Sequence, residues 1–167
     1  AAQSFGASYR GEKSCSLTTL ACTSFFPAKP LGCFGDAGAV FTNNSHLSEK
    51  ISSLRLHGQS KRYEHQYIGL GARMDTLQAA ILSVKMDYYE VDIKNRQKVA
   101  EKYDKLLRGI IKTPTVHSFN RSVWAQYSIR MKNREWIQKE LNKKEIPTAI
   151  YYPKPLHLQD CFAYLGY

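Results

Sequence analysis

A chain of 167 residues with 43% hydrophobic and 23% charged residues can bury a core and lacks the composition of a disordered segment. Its formal charge of +10, from 24 basic and 14 acidic residues, suits anionic ligands, but the basic residues are scattered and no nucleic-acid motif accompanies them, so nucleic acid is set aside as a partner. No apolar run is long enough to span a bilayer, no charged-then-apolar segment opens the sequence, and Cys15, Cys22, Cys33 and Cys161 make neither a Cys-x-x-Cys pair nor a zinc pattern, so a cytoplasmic chain with free thiols, no membrane partner and no metal site is expected.

In chain order, residues 14–23 are small and β-favouring and predict a buried strand. Gly38–Thr42 predicts a second strand, and the loop between them holds Pro27, Pro30, Gly32, Gly35 and Asp36. Ser45–Leu56 reads as a helix with Leu47, Ile51 and Leu54 on one face. A polar loop follows over 57–63, and Gly69 and Gly71 punctuate the next segment. Asp75 is the expected N-cap of a helix through Leu77, Ala80, Ile81 and Val84. The helical pattern runs on to Leu107, and its length predicts a break near Asp87. The last third predicts a strand over 123–129, a helix around Trp136–Leu141 and a strand over 147–153, the grammar of an α/β subdomain.

Two strands bracketing a turn-rich loop present one side chain on a rigid frame. The side chain singled out is Lys29, in Ser24-Phe25-Phe26-Pro27-Ala28-Lys29-Pro30. A lysine amine adds to an aldehyde once it is dried or crowded by positive charge, and two aromatic residues and a proline stiffen and dry this loop. Ser24 offers a hydroxyl to a phosphate oxygen. His57 reads as a structural loop residue, and Trp124 and Trp136 read as core.

The segment Ser24–Gly32, then Gly35-Asp36-Ala37-Gly38-Ala39 and Thr42-Asn43, resembles the cofactor-lysine segment of the DegT/DnrJ/StrS family of pyridoxal-phosphate sugar aminotransferases. The resemblance continues, in family order, through Arg55–Gly58, Gly69–Ala80, Pro147-Thr148-Ala149 and Tyr151–His157. It implies an α/β chain that is a fragment of the aspartate-aminotransferase-like architecture, fold type I of pyridoxal-phosphate enzymes. Residues 1–90 would end the large cofactor-binding domain, and 91–167 would form an incomplete small C-terminal α/β domain. The N-terminal half of the enzyme is expected to be missing, and with it the activity of the fragment alone.

The resemblance also implies roles. Lys29 resembles the catalytic lysine that carries pyridoxal 5'-phosphate as a Schiff base and shuttles a proton. Ser24 resembles the hydroxyl that binds the cofactor phosphate, and Gln3 the amide beside its phenolic oxygen. Arg73 resembles a residue reaching toward the neighbouring subunit's site, which implies a homodimer with shared active sites. Tyr152 and His157 resemble residues lining the sugar-nucleotide pocket. The donor is expected to be glutamate and the acceptor a keto-sugar nucleotide in polysaccharide or amino-sugar biosynthesis. The stretches 55–63 and 123–127 look most like members acting on UDP-linked N-acetyl keto-hexuronates. Gly71 departs from the family, which has asparagine there as a phosphate contact. The aspartate that would pair with the cofactor's pyridinium nitrogen is expected just before Ala1, outside the sequence. The rival reading is a non-catalytic homologue that serves as a binding or regulatory domain.

Overall fold

Hydroxyl-rich sequence at the start of the chain folds on itself rather than into a long strand. The computed structural model describes residues 1–167, and in it the expected strand over 14–23 is reduced to its end. Residues Ser14–Ser16 form a 3-10 turn, and pairing begins only at Ala21. The reason is local competition: Ser14 Oγ donates to Ser4 O, Ser16 Oγ to Lys13 O and Thr18 Oγ1 to Leu20 O. Ahead of this turn lie β1 (Ser8–Tyr9) and β2 (Glu12–Lys13), a short antiparallel hairpin.

β3 (Ala21–Ser24) and β4 (Gly38–Phe41) pair antiparallel, with Ala21 opposite Phe41 and Ser24 opposite Gly38. α1 (Ser45–Leu54) follows as expected, and Asn44 caps it by accepting from the Leu47 N–H at 3.1 Å. β5 (Gln59–Lys61) and β6 (Glu64–His65) make a small hairpin. α2 then runs without interruption over Thr76–Leu107, 32 residues or about 48 Å. The expected break near Asp87 does not occur, and the expected division at residues 90/91 falls inside this helix. Asp75 occupies the N-cap position with extended backbone, though its side chain makes no capping bond.

β7 is only Asn120–Arg121 and pairs with β1, giving the sheet order β2-β1-β7. The strand expected over 123–129 is absent. Trp124 takes a left-handed φ of 49°, which stops the extended run, and its indole N–H donates to Gln97 Oε1 at 3.1 Å on α2 instead. The core gathers Phe25, Leu31, Cys33, Leu82, Tyr89, Ile93 and Val123, with Phe5, Met74 and Ile81 packed against them. Phe5 stacks on Tyr89 and meets Phe25 edge-on, with centroids 5.9 and 5.6 Å apart. Each such side chain taken from water contributes about 1.5–3 kcal/mol.

The chain divides into two compact units, Ala1–Ile129 and Arg130–Tyr167. The second holds α3 (Arg134–Lys143), entered through a left-handed Asn133, and 3-10 turns at Leu156–Leu158 and Asp160–Leu165. The strand expected over 147–153 is not formed. Prolines at 147, 153 and 155 withhold backbone donors, and most of this run is exposed. Thr148 is tied to α3 by Gln138 Nε2, Lys154 pairs with Asp160 at 2.5 Å, and Lys143 pairs with Glu140 at 2.7 Å. No helix of the chain is long and apolar enough to cross a membrane.

Candidate functional site

The Lys29 loop is a folded object with its own internal bonds. At its base Phe25 N–H donates to Ala37 O at 2.7 Å, and Cys33 N–H donates back to Phe25 O at 2.8 Å. The Cys33 thiol, fully buried, reaches Phe25 O and Gly35 O at 3.0 Å each. Lys29 N–H donates to Phe26 O at 2.8 Å, closing the turn that carries the lysine. Gly32 allows this closure: a Cβ there would lie 2.5 Å from Pro27 O and 2.7 Å from Phe26 O.

α2 fixes the loop from below. Gln78 Oε1 accepts from Phe34 N–H at 2.8 Å, and Lys85 Nζ donates to Gly32 O. Leu31 and Cys33 insert into the core, so the turn bearing Lys29 stands on a buried base. Lys29 itself is half-buried at the apex. Sequence reading missed Gln78, Lys85 and Cys33. The first two are seven residues apart and share a helix face, a spacing that could have paired them with the loop.

Ser24 ends β3 and is half-buried, with its Oγ accepting from Phe26 N–H at 3.2 Å. The hydroxyl proton stays free to donate to a ligand oxygen. Gln3 lies in the opening turn, which is held to β3 from both sides. Ala1 N donates to Cys22 O at 2.6 Å, and Thr23 Oγ1 donates to Ala1 O at 3.3 Å. Gln3, Ser24 and Lys29 are thus carried by segments tied to the same strand.

Arg73 is exposed, between the Leu56–Gly71 bridge and the start of α2. Tyr152 and His157 lie in the second unit. Tyr152 is exposed and meets Tyr151 edge-on at 5.4 Å, and His157 meets Tyr167 edge-on at 5.8 Å. Two concave surfaces of the first unit do not have Lys29 in their lining. One of about 940 Å³ is lined by Lys13, Thr23, Val40, Ser52 and Arg55 among others, and one of about 470 Å³ by Arg96, Tyr103, Trp124 and Tyr127 among others. The unit supplies fixed placement of an amine, a hydroxyl and an amide.

Two tyrosines near α2 are perturbed. Burial pushes the Tyr89 hydroxyl up to about 12, and it donates to Phe5 O at 2.6 Å. Desolvation, then the hydrogen bond to the Asp104 carboxylate at 2.5 Å, raises Tyr127 to about 12. The hydrogen bond from Arg121 holds the Glu90 carboxyl below its usual range.

The model of the DegT/DnrJ/EryC1/StrS aminotransferase family matches residues 1–167. UDP-2-acetamido-2-deoxy-3-oxo-D-glucuronate aminotransferase of Pseudomonas aeruginosa is 53% identical over 164 residues, 98% of this chain and 46% of that protein. The crystal structure of a DegT/DnrJ/EryC1/StrS aminotransferase from Brucella abortus superposes with a TM-score of 0.95 at 40% identity, covering 98% of this chain and 44% of that one. S. venezuelae DesV, solved in complex with a ketimine intermediate, superposes with a TM-score of 0.94 at 34% identity, over 98% of this chain and 44% of that one. The chain spans about half the length of the curated relatives it matches, and it has the mixed α/β fold of the matching part of these aminotransferases.

Proposed function

Because the chain belongs to the DegT/DnrJ/EryC1/StrS aminotransferase family, we propose that it is part of a pyridoxal-phosphate enzyme that moves an amino group from glutamate to the keto group of a nucleotide-linked sugar. The observation that carries this reading is the Lys29 turn, pinned internally by Cys33 and from α2 by Gln78 and Lys85, with Ser24 at its base. The donor set fits the cofactor: a primary amine for its aldehyde, a hydroxyl for its phosphate and the Gln3 amide for its phenolic oxygen. The 53% identity to the P. aeruginosa enzyme supports a UDP-linked N-acetyl keto-hexuronate as the sugar, and the ketimine of DesV supports the cofactor.

When bound, the cofactor supplies an aldehyde for the amine and a ring that stores electrons. Lys29 Nζ would hold the cofactor's aldehyde, and its freed amine would serve as the base and acid that moves a proton at the donor Cα and, in the second half of the reaction, at the sugar carbon. Ser24 anchors the phosphate, and Gln3 orients the ring through its phenolic oxygen. Arg73 of one copy reaches a second copy's site in a homodimer, and Tyr152 and His157 line the sugar-nucleotide pocket. Residues 1–90 belong to the large domain and 91–167 to the small one, with α2 shared between them.

The test uses the full-length protein with pyridoxal 5'-phosphate, borohydride reduction and peptide mass spectrometry. A reduced phosphopyridoxyl group on Lys29, lost in Lys29→Ala, is expected. Wild-type protein with no adduct at Lys29 refutes the reading.

A further inference from the structure

The second half of α2 and the segment after β7 border a cleft that the lysine chemistry does not use. Its volume is about 470 Å³, within the roughly 300–1,000 Å³ of small-molecule sites, and no lysine lines it. One wall is aromatic. Tyr103 stacks on Tyr127 with centroids 5.0 Å apart, and Trp124 tilts against Tyr127 at 5.4 Å. The polar ends of this wall are already spent on α2. The Trp124 indole N–H donates to Gln97 Oε1 at 3.1 Å, and the Tyr127 hydroxyl donates to Asp104 Oδ1 at 2.5 Å. What the wall presents to the cleft is therefore ring surface, fixed before any ligand arrives. Val99, 55% exposed, and the buried Ala100 continue the apolar lining along the helix.

The same cleft holds one charge of each sign. Asp92 and Arg96 both line it, one helical turn apart and in the acid-then-base order in which such pairs bond. Here they do not bond. The chain's three ion pairs lie elsewhere, and Arg96 instead donates through Nη1 to Trp124 O at 3.2 Å. A guanidinium has five N–H donors, so Nε and Nη2 of Arg96 are left for a ligand. A lone anion in this cleft would meet Asp92, and a lone cation would meet Arg96. A ligand that carries both charges on one end and a flat apolar body on the other satisfies the whole lining.

We propose that this cleft is a second small-molecule site, which takes an aromatic α-amino acid as its zwitterion. The carboxylate pairs with Arg96, the ammonium with Asp92, and the side-chain ring lies against Tyr103, Trp124 and Tyr127. The ligand is bound there without being transformed, since the lining has no amine to form a Schiff base. The site goes beyond the aminotransferase reading and does not depend on it.

The test is calorimetric titration of full-length protein with L-phenylalanine, with hydrocinnamate, which lacks the ammonium, and with phenethylamine, which lacks the carboxylate. Phenylalanine should bind about tenfold or more tighter than either fragment, because each fragment leaves one charge of the cleft unanswered. Arg96→Gln keeps an amide donor and removes the charge. It should weaken phenylalanine and hydrocinnamate by roughly tenfold and leave phenethylamine unchanged, and Asp92→Asn should spare hydrocinnamate instead. Val99→Phe fills the cleft from an exposed position and should abolish binding without shifting the urea midpoint. Binding should persist in Lys29→Ala, which separates it from any amino acid held at the lysine. Wild-type protein with no saturable phenylalanine binding overturns the proposal, and so does binding that disappears in Lys29→Ala. Equal weakening of all three ligands in Arg96→Gln and in Asp92→Asn also overturns it, because a merely structural role for the two charges predicts that pattern.

Discussion

Substituting Gly32 by alanine tests whether the Lys29 turn is as tightly determined as its geometry indicates. The new methyl would lie 2.5 Å from Pro27 O, 2.7 Å from Phe26 O and 2.9 Å from Pro27 C. Carbon–oxygen contacts settle near about 3.3–3.6 Å, so the turn must open by roughly 0.8 Å. The obstructing atoms are backbone, and one of them, Phe26 O, accepts the Lys29 N–H bond that closes the turn. Overpacking of this kind costs about 3 kcal/mol. Misplacing a reactive group by about 1 Å slows chemistry by roughly a hundredfold. The assay is the rate of borohydride-trapped adduct at Lys29 in full-length protein, alongside urea denaturation. Gly35→Ala is the milder comparison: its Cβ would meet the Gln78 amide at 3.1 Å, a side-chain end rather than backbone, so adduct formation should slow less than in Gly32→Ala. If Gly32→Ala traps cofactor at the wild-type rate with unchanged stability, the turn does not position Lys29 as argued.

Lys85→Met removes the charged donor to Gly32 O and should lower stability by about 1.5–3 kcal/mol in urea denaturation while slowing adduct formation at Lys29. Ile93→Ala empties a site only 1% exposed and should cost about 2–5 kcal/mol by the same measurement, whereas Val99→Ala, at an exposed position of the same helix, should stay within about 0.5 kcal/mol. Tyr89 has its hydroxyl raised from 10.0 to about 12, so the fold favours its neutral form. Below pH 10 both folded and unfolded states are neutral there and the contribution is complete. It is lost as pH rises from 10 through about 12, because the unfolded chain ionises first. Ultraviolet tyrosinate titration should lose a late-titrating group near pH 12 in Tyr89→Phe, and the alkaline fall in stability should be shallower.

What was legible in the sequence was local. The β4 strand and the α1 start after Asn44 follow from turn and capping chemistry within a few residues, and α2 starts after Asp75 as expected although that side chain makes no capping bond. The strands over 14–23 and 123–129 failed because alternation says nothing of what competes for the backbone. Serine and threonine hydroxyls took the first, and the left-handed Trp124 broke the second. Within the site, Lys29 and Ser24 stood out in sequence, while their supports did not. Gln78, Lys85 and Cys33 have meaning only once α2 lies under the loop.

The uninterrupted α2 explains why these supports escaped notice and why they matter together. Gln78, Leu82, Lys85, Tyr89, Ile93, Gln97, Ala100 and Asp104 follow at intervals of three or four and therefore share a face. Leu82, Tyr89, Ile93 and Ala100 on that face are buried apolar contacts. The others act by hydrogen bonds: Gln78 and Lys85 to the Lys29 loop, Gln97 to Ser122 O and the Trp124 indole, Asp104 to Tyr127. The break expected near Asp87 rests on the length of the helical pattern, and that length is sustained because polar anchors continue the buried face. Physically the polar positions continue the face, since each finds a partner. A rigid rod that grips the lysine loop near one end and the Trp124–Tyr127 segment near the other fixes both to one frame. Gln97→Ala with Asp104→Ala removes the bonds to Ser122 O, the Trp124 indole and Tyr127 while Tyr89 and Ile93 stay in the core under the Lys29 loop. Altered Trp124 fluorescence with adduct formation retained at Lys29 is the expected result. Loss of the adduct as well would mean that the loop depends on the far end of the helix.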